Sequence, residues 1–525
     1  MNPEHAAILA ETNFATLDWI IVFAYLSISL VIGLYVRKYV VNMAGYITAG
    51  RGLGTCLGIA TLTGTEMGLV TVMYSAQKGF TGGFAAFHIA LVAGVVTFFV
   101  GISGFIVGKL RGTGVLTIPE YYSQRFDKKT RILGGIMLAL GGILNMGLFL
   151  KVGSLFIVGV CGLSQTGWAL PGVMIFLLVL VLIYTVMGGM FSVVVTDYIQ
   201  FVVLSAGLLI TTGLAIYHIG WDTMFQVVAE NMGEAGFNPL TTGGGFGAEY
   251  VLWMAFTAGL VSCALWPTAV ARALAAEDVA TVKKQYMFSS ISFMVRFLVP
   301  NFLGIAAFVF IAVKAPEIKA AFFPTDGSAP MDNLYAMPIL LGRIIPSGLL
   351  GLISASMIAA FMSTHDSYLL VWSSVITQDI IAPIRGGMST KGRILCTRVS
   401  IVVIGLYILY WGLMYKGSDD IWDYMAVTGA IYFTGSFAVL VGGLYWKRAS
   451  STGAFMALLS GLGAILGLGP VQQMLGLDIP GARVGLTTVV FSVLVMIIAS
   501  LLFPDKQTET KTMGSSSLTE TEAAL

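Results

Sequence analysis

The chain has 525 residues, of which 57% are hydrophobic and only 10% are charged, against about 25% charged in a soluble domain. A single core stops growing beyond about 300 residues, so no soluble fold hides this much apolar surface and the bilayer is the expected solvent. The net charge of +2 gives no basic case for nucleic acid, and Cys56, Cys161, Cys263 and Cys396 form no CxxC pair, which leaves neither a disulfide framework nor a metal site.

The chain opens on MNPEHAAILAETNFATLDW, which carries no Lys or Arg and therefore lacks the positive region of a secretory signal. A spanning helix needs about 20 mostly apolar residues. Thirteen runs qualify: 17–36, 53–78, 82–108, 132–161, 166–188, 190–217, 248–271, 286–313, 347–377, 397–415, 421–446, 452–472 and 483–503. Two of them, 53–78 and 248–271, are polar and glycine-rich in the middle. Residues 218–247 and 314–346 read as longer loops with short helices, and 504–525 as a polar, disordered tail.

Lys and Arg set the orientation. With residues 1–16 outside, twenty of the 28 basic residues fall in inside loops, among them Arg37, Lys38, Arg125 and Arg272. Six fall outside: Lys78, Lys314, Lys319, Arg343, Lys416 and Arg483. That excess satisfies the positive-inside rule and puts the C-terminal tail in the cytoplasm. The 63 glycines are about 12% of the chain, against ~7% on average. Most are expected to let helices pack closely, GGIMLALGG (134–142) above all.

Interrupted helices mark binding sites in transporters, so the two glycine-bearing spans invite a second reading. In 50–80, Glu66 lies at mid-membrane between Gly64 and Gly68. A carboxylate there costs a few kcal/mol unless compensated, and glycines let the backbone unwind and turn carbonyls toward a cation. In 349–380, Ala360, Ser363, Thr364 and Ser367 stand at i, i+3, i+4 and i+7 and share one helix face. Hydroxyl oxygens suit a hard cation, although Ser and Thr also glue membrane helices together. Asp366 adds a charge beside them. His88, Lys151, Asp197, Arg296 and His365 are the other ionisable groups within spans; Lys151 reads as structural and His218 as interfacial.

Five motifs carry a resemblance to a known family: AGRGLG (49–54), LTIPEYYSQRF (116–126), YTVMGG…TDYIQ (184–200), ARALAAED (271–278) and GGLYWKRASSTGAF (442–455). With AAFMSTHDSYLLVWSSVITQD they make the chain similar to the sodium:solute symporter family from residue 17 to about 460. The resemblance implies an all-α integral membrane fold with a five-plus-five inverted repeat, as in the bacterial leucine transporter. Repeat one would cover 53–217 and repeat two 248–446, with 17–36 before them and extra helices in 451–503. The broken helices would lie near Gly64–Gly68 and in GLVSCALWP (259–267).

The resemblance also implies a sodium site on the carbonyls of Gly64, Met67 and Ala360 and the hydroxyls of Ser363 and Thr364. Some members have a second cation site, which maps to Asp197, Ser363, Asp366 and Ser367. The usual residue at 366 is small and neutral or a hydroxyl, so Asp366 departs from the pattern. Substrate positions fall on Glu66, Thr71, His88 and Arg296, the last standing four residues before Pro300. Where sugar transporters carry asparagine and glutamine, this chain has Glu66, Thr71, Gly259 and Ala426, which argues against a sugar. Glu66 and Arg296 could bind an amine and a carboxylate, or pair with each other.

The function expected is import of a small organic solute, an amino acid, other zwitterion or organic acid, across the cell membrane with sodium. This makes a carrier rather than an enzyme, with no cofactor beyond the coupling ion. Two other readings stay open: a solute sensor that keeps the symporter fold, and a proton-coupled carrier using Glu66, Asp366 or His365.

Overall fold

A chain buried in lipid must satisfy its backbone within helices or closed barrels. Among the described residues the regular elements are helices, and the single strand-like contact is an isolated bridge between Leu53 and Ala276. The structure, a computed structural model, describes residues 3–36, 49–163, 167–242, 245–325, 327–415 and 420–505. Arg37, Lys38, Lys416 and the tail from residue 506 lie outside the described residues, as does the side chain of Asp197.

Nine helical runs among the described residues are long and apolar enough to cross a membrane, and two shorter apolar stretches, Thr16–Ile28 and Ala169–Ile183, accompany them. The differences from thirteen separate runs have physical causes. The expected spans 166–188 and 190–217 share one hydrogen-bonded run, Ala169–Ile219, of 51 residues. At about 1.5 Å per residue it is far longer than a ~30 Å hydrocarbon core, and it carries one apolar stretch near each end, Ala169–Ile183 and Phe201–Ile219. The expected span 452–472 is bent by 82° between Ser451–Gly467 and Gly469–Leu475. Proline at 470 and glycine at 469 are residues that end a helix rather than continue it.

The N-terminal residues, expected to be a simple external segment, form a helix, α1 (Pro3–Ala10), whose Leu9 is buried. Behind it, α2 (Thr16–Val36) carries Asp18 in its first turn. Asp18 Oδ1 accepts the N–H groups of Gly348 and Gly351 at 2.7 and 2.6 Å, and Oδ2 accepts the Ser347 hydroxyl at 2.8 Å. An anion at unpaired N–H groups stabilises a helix start. Asp18 thereby anchors the long buried helix that begins at Leu349.

Close packing rests on glycine where expected. In GGIMLALGG, a Cβ on Gly142 would stand 2.5 Å from the Trp372 ring, and one on Gly134 2.5 Å from Tyr122. The tightest approach to backbone atoms is elsewhere: Cβ atoms on Gly79 and Gly304 would lie 1.9 Å from the carbonyl oxygens of Asn301 and Ala76. Two helices therefore touch backbone to backbone next to the broken span.

Candidate functional site

The first break falls where the glycines predict it. Helix α3 (Thr55–Glu66) ends as the Met67 N–H bonds Thr63 at 2.9 Å, with Met67 at φ −96°, ψ 58°. Gly68 is extended, at ψ 163°, and α4 (Leu69–Gly82) starts after it. A Cβ on Gly68 would lie 1.9 Å from Thr364 Oγ1, so the chain passes close to that hydroxyl only because position 68 is bare. The last carbonyls of a helix have no partner within it, which frees backbone oxygens around 64–67.

Opposite stands α5 (Leu349–Val375), buried along nearly its whole length. Thr364 Oγ1 shares its proton between Ala360 O at 3.0 Å and Thr65 O at 3.3 Å. Ala360, Ser363, Thr364 and Met67 are all buried, none more than 5% exposed. The structure thus brings the broken stretch and the hydroxyl face of α5 together, the juxtaposition that the family resemblance implied.

Of the second-site positions, Ser367 donates to Asp366 Oδ1 at 3.2 Å, and both are fully buried. Sequence reasoning missed their neighbour. Arg272, counted above among the inside-loop cations, is fully buried, and its NH2 donates to Ser367 Oγ at 2.7 Å and Thr65 Oγ1 at 2.6 Å. It rides on the helix Pro267–Ala275, the second half of the other interrupted span. There Ala248–Ala255 passes into a π-helical turn, Phe256–Val261, and Trp266 is extended before Pro267 at ψ 119°. A residue preceding proline is pushed out of the helical region, so the break follows from the sequence WP. Trp266 Nε1 then donates to the Tyr368 hydroxyl at 2.8 Å and ties this break to α5.

Between the two breaks lies a cavity of about 110 Å³. Glu66, Thr71, Arg296, Gly259 and Ala426 line it with a set of aromatic rings that includes Tyr74, Trp253, Trp266 and Trp422. Glu66 and Arg296 resolve in favour of pairing: Arg296 NH1 donates to Glu66 Oε2 at 3.1 Å. Thr268 donates to Glu66 Oε1 at 2.6 Å, and Thr71 to the Glu66 carbonyl at 3.1 Å. The Arg296 guanidinium also stacks over Phe293 and Phe297, at 4.1 and 4.6 Å from the ring centroids. His88 does not join them. It packs 4.9 Å from Phe246 and 5.8 Å from Tyr250, off the cavity wall. Lys151 donates to Tyr415 O at 2.9 Å, in keeping with a structural role.

At the far end of α4, Lys78 is only 4% exposed, although the charge pattern placed it in an outside loop. Its ammonium bonds Asp420 at 2.8 Å and Asp423 at 3.0 Å. One turn nearer the cavity, Tyr74 packs on Trp422 with centroids 4.9 Å apart. Charge pair and ring pair together join α4 to the helix Ile421–Tyr445.

Two interrupted helices meeting at a mainly apolar cavity with a buried ion pair on its wall, inside a membrane bundle, define a secondary transporter. The fold agrees: the structure of a Na⁺-coupled sialic acid symporter in a substrate-bound outward-open state aligns with a TM-score of 0.77 at 19% identity, covering 94% of this chain and 100% of that one. The chain belongs to the sodium:solute symporter family, whose sequence pattern matches residues 46–461. Curated relatives include sodium/glucose cotransporter 4 of Danio rerio, 25% identical over 88% of this chain and 72% of that protein. The sodium/glucose cotransporter of Vibrio parahaemolyticus is 25% identical over 94% of this chain and 91% of its own length.

Proposed function

We propose that this symporter imports a small solute bearing a carboxylate, an amino acid, other zwitterion or organic acid, coupled to sodium held by Gly64, Met67, Ala360, Ser363 and Thr364. The observation that carries the solute class is Arg296. Its Nε is buried without a hydrogen-bond partner while NH1 is engaged by Glu66, so a donor edge remains for an anionic group at the cavity wall. Glu66, Thr71 and the aromatic rings supply the rest of the wall, which suits a solute with an apolar body. The positions where the resemblance places the amide side chains of sugar transporters, 259 and 426, are Gly and Ala here, and the neutral polar groups that do line the cavity, Asn145, Thr257 and Ser262 among them, stand elsewhere on its wall.

For the second cation site, Ser367 is already hydrogen-bonded to Arg272, and a fixed guanidinium repels a further cation. This supports a single coupled sodium rather than two. The proposed orientation has residues 1–16 outside and the C-terminal tail in the cytoplasm. Uptake into proteoliposomes, screened across amino acids, organic acids and sugars with a sodium or a potassium gradient, tests the whole reading. Sodium-driven uptake of a carboxylate solute with a Hill coefficient near one for sodium is expected. Uptake of a neutral sugar, or a coefficient near two, would overturn the solute class or the single-ion reading respectively.

A further inference from the structure

Away from the transport path, a second pocket of about 460 Å³ opens where several helices end at one face of the bundle. It lies between the helix Ile118–Arg125, the start of Lys128–Met146, the π-helical end of the long buried helix (Ile376–Ile381) and the start of Thr390–Met414. Lys128, Arg131 and Arg393 line it, against one carboxylate, Glu120. Glu120 is committed locally, since its Oε2 accepts the Leu116 N–H at 2.6 Å. Arg131 is anchored from behind by Asp379 at 2.9 Å and by the Gln378 carbonyl at 3.0 Å. Even with Asp379 counted, these groups keep a net positive charge.

Gln378 gives this charge a direction. Arg393 NH1 donates to its Oε1 at 2.9 Å. Arginine has donors only, so the amide orientation is fixed with oxygen toward Arg393 and nitrogen away from it. That nitrogen, Nε2, is buried without a hydrogen-bond partner, and Gln378 is 5% exposed and lines the pocket. A buried amide left unpaired costs about 1–3 kcal/mol, and native folds rarely keep one without a ligand or water to satisfy it. A water would answer the amide alone; an anion answers the amide and the three cations together. The mouth is open, because Cβ atoms on Gly386 and Gly387 would meet nothing within 4 Å.

We propose that this pocket binds a phosphate-bearing anion, with its oxygens taken by Gln378 Nε2, Arg393 and Lys128. Position at the helix ends makes two sources of that chemistry accessible: the headgroup of an anionic lipid and free phosphate. Either would tie the starts of two helices to the end of the helix that carries the hydroxyl face, and so stiffen the frame around the cavity.

The test uses the full-length protein and its thermal unfolding midpoint. Inorganic phosphate is titrated in neutral detergent against a chloride series of equal ionic strength. Separately, phosphatidylcholine nanodiscs are compared with nanodiscs that also contain phosphatidylglycerol. A saturable rise with phosphate assigns the site to the free anion, and a rise with phosphatidylglycerol alone assigns it to the headgroup. In either case Lys128→Gln with Arg393→Gln should weaken the response at least tenfold. Should the double variant fail to fold, Lys128→Gln decides alone, because that side chain is exposed, and a threefold weakening is expected. The proposal fails if neither ligand raises the midpoint saturably, or if the rise persists undiminished in the variants.

Discussion

One NH1 group of Arg296 reaches both the Glu66 carboxylate and the Glu66 backbone carbonyl, each at 3.1 Å. A single side chain thus holds the buried charge and the unwound end of α3 together. The pair is 13% and 8% exposed, and breaking a buried pair by removing one partner is costly because it strands the other. Arg296→Ala should destabilise the protein by about 3 kcal/mol. Adding Glu66→Gln should restore part of that loss, since the stranded charge is gone. Thermal midpoints of both variants in detergent check this. A double variant less stable than the single one would mean that the Thr268 hydrogen bond, not the ion pair, holds the Glu66 carboxylate.

The Lys78 bonds to Asp420 and Asp423 join α4 to the helix Ile421–Tyr445 beyond the cavity-lining Tyr74 and Trp422. Lys78→Gln leaves two carboxylates facing each other without a cation, so the arrangement that holds these two helices together should lose population and the cavity should open more often. Cys263 lines the cavity and serves as a native reporter. With the other three cysteines replaced by serine, its modification by a membrane-impermeant maleimide should accelerate roughly tenfold, equivalent to ~1.4 kcal/mol. An unchanged rate would show that these bonds do not hold the cavity shut.

The Gly79–Gly304 approach makes a packing prediction independent of function. A methyl at 304 would stand 1.9 Å from the Ala76 carbonyl oxygen, which is backbone and cannot rotate away. Gly304→Ala should therefore cost roughly 3 kcal/mol by overpacking. Gly213→Ala, at a helical position where a Cβ meets nothing within 4 Å, should be neutral or stabilising. Equal thermal midpoints for the two variants would contradict the backbone contact.

These sites differ in how far the sequence foretold them. The break at Met67–Gly68 was legible because glycines bracket a mid-membrane carboxylate, and the one at Trp266 because proline constrains the residue before it. The hydroxyl face of α5 followed from i, i+3, i+4 spacing alone. The π-helical turn at Phe256–Val261 was not legible, since a shift in hydrogen-bond register leaves no pattern in residue type. Nor was Arg272: a charge count treats any arginine near a span end as a loop cation. Its partners Ser367 and Thr65 are 95 and 207 positions away, and only the folded chain brings them within reach. Lys78 was misplaced for the same reason, as its counter-charges lie more than 340 positions along the chain.

Sodium held between the broken α3–α4 stretch and α5 is the centre of this account, and sodium-dependent thermal stabilisation measures it without knowledge of the solute. A cation that binds the folded state alone raises the midpoint by mass action. In the wild type, sodium should raise the midpoint saturably where potassium at equal ionic strength does not. Ser363→Ala with Thr364→Ala removes two hydroxyl ligands and should move half-saturation at least tenfold toward higher sodium. An equal rise with potassium, or a sodium response unchanged in the double variant, would contradict the site.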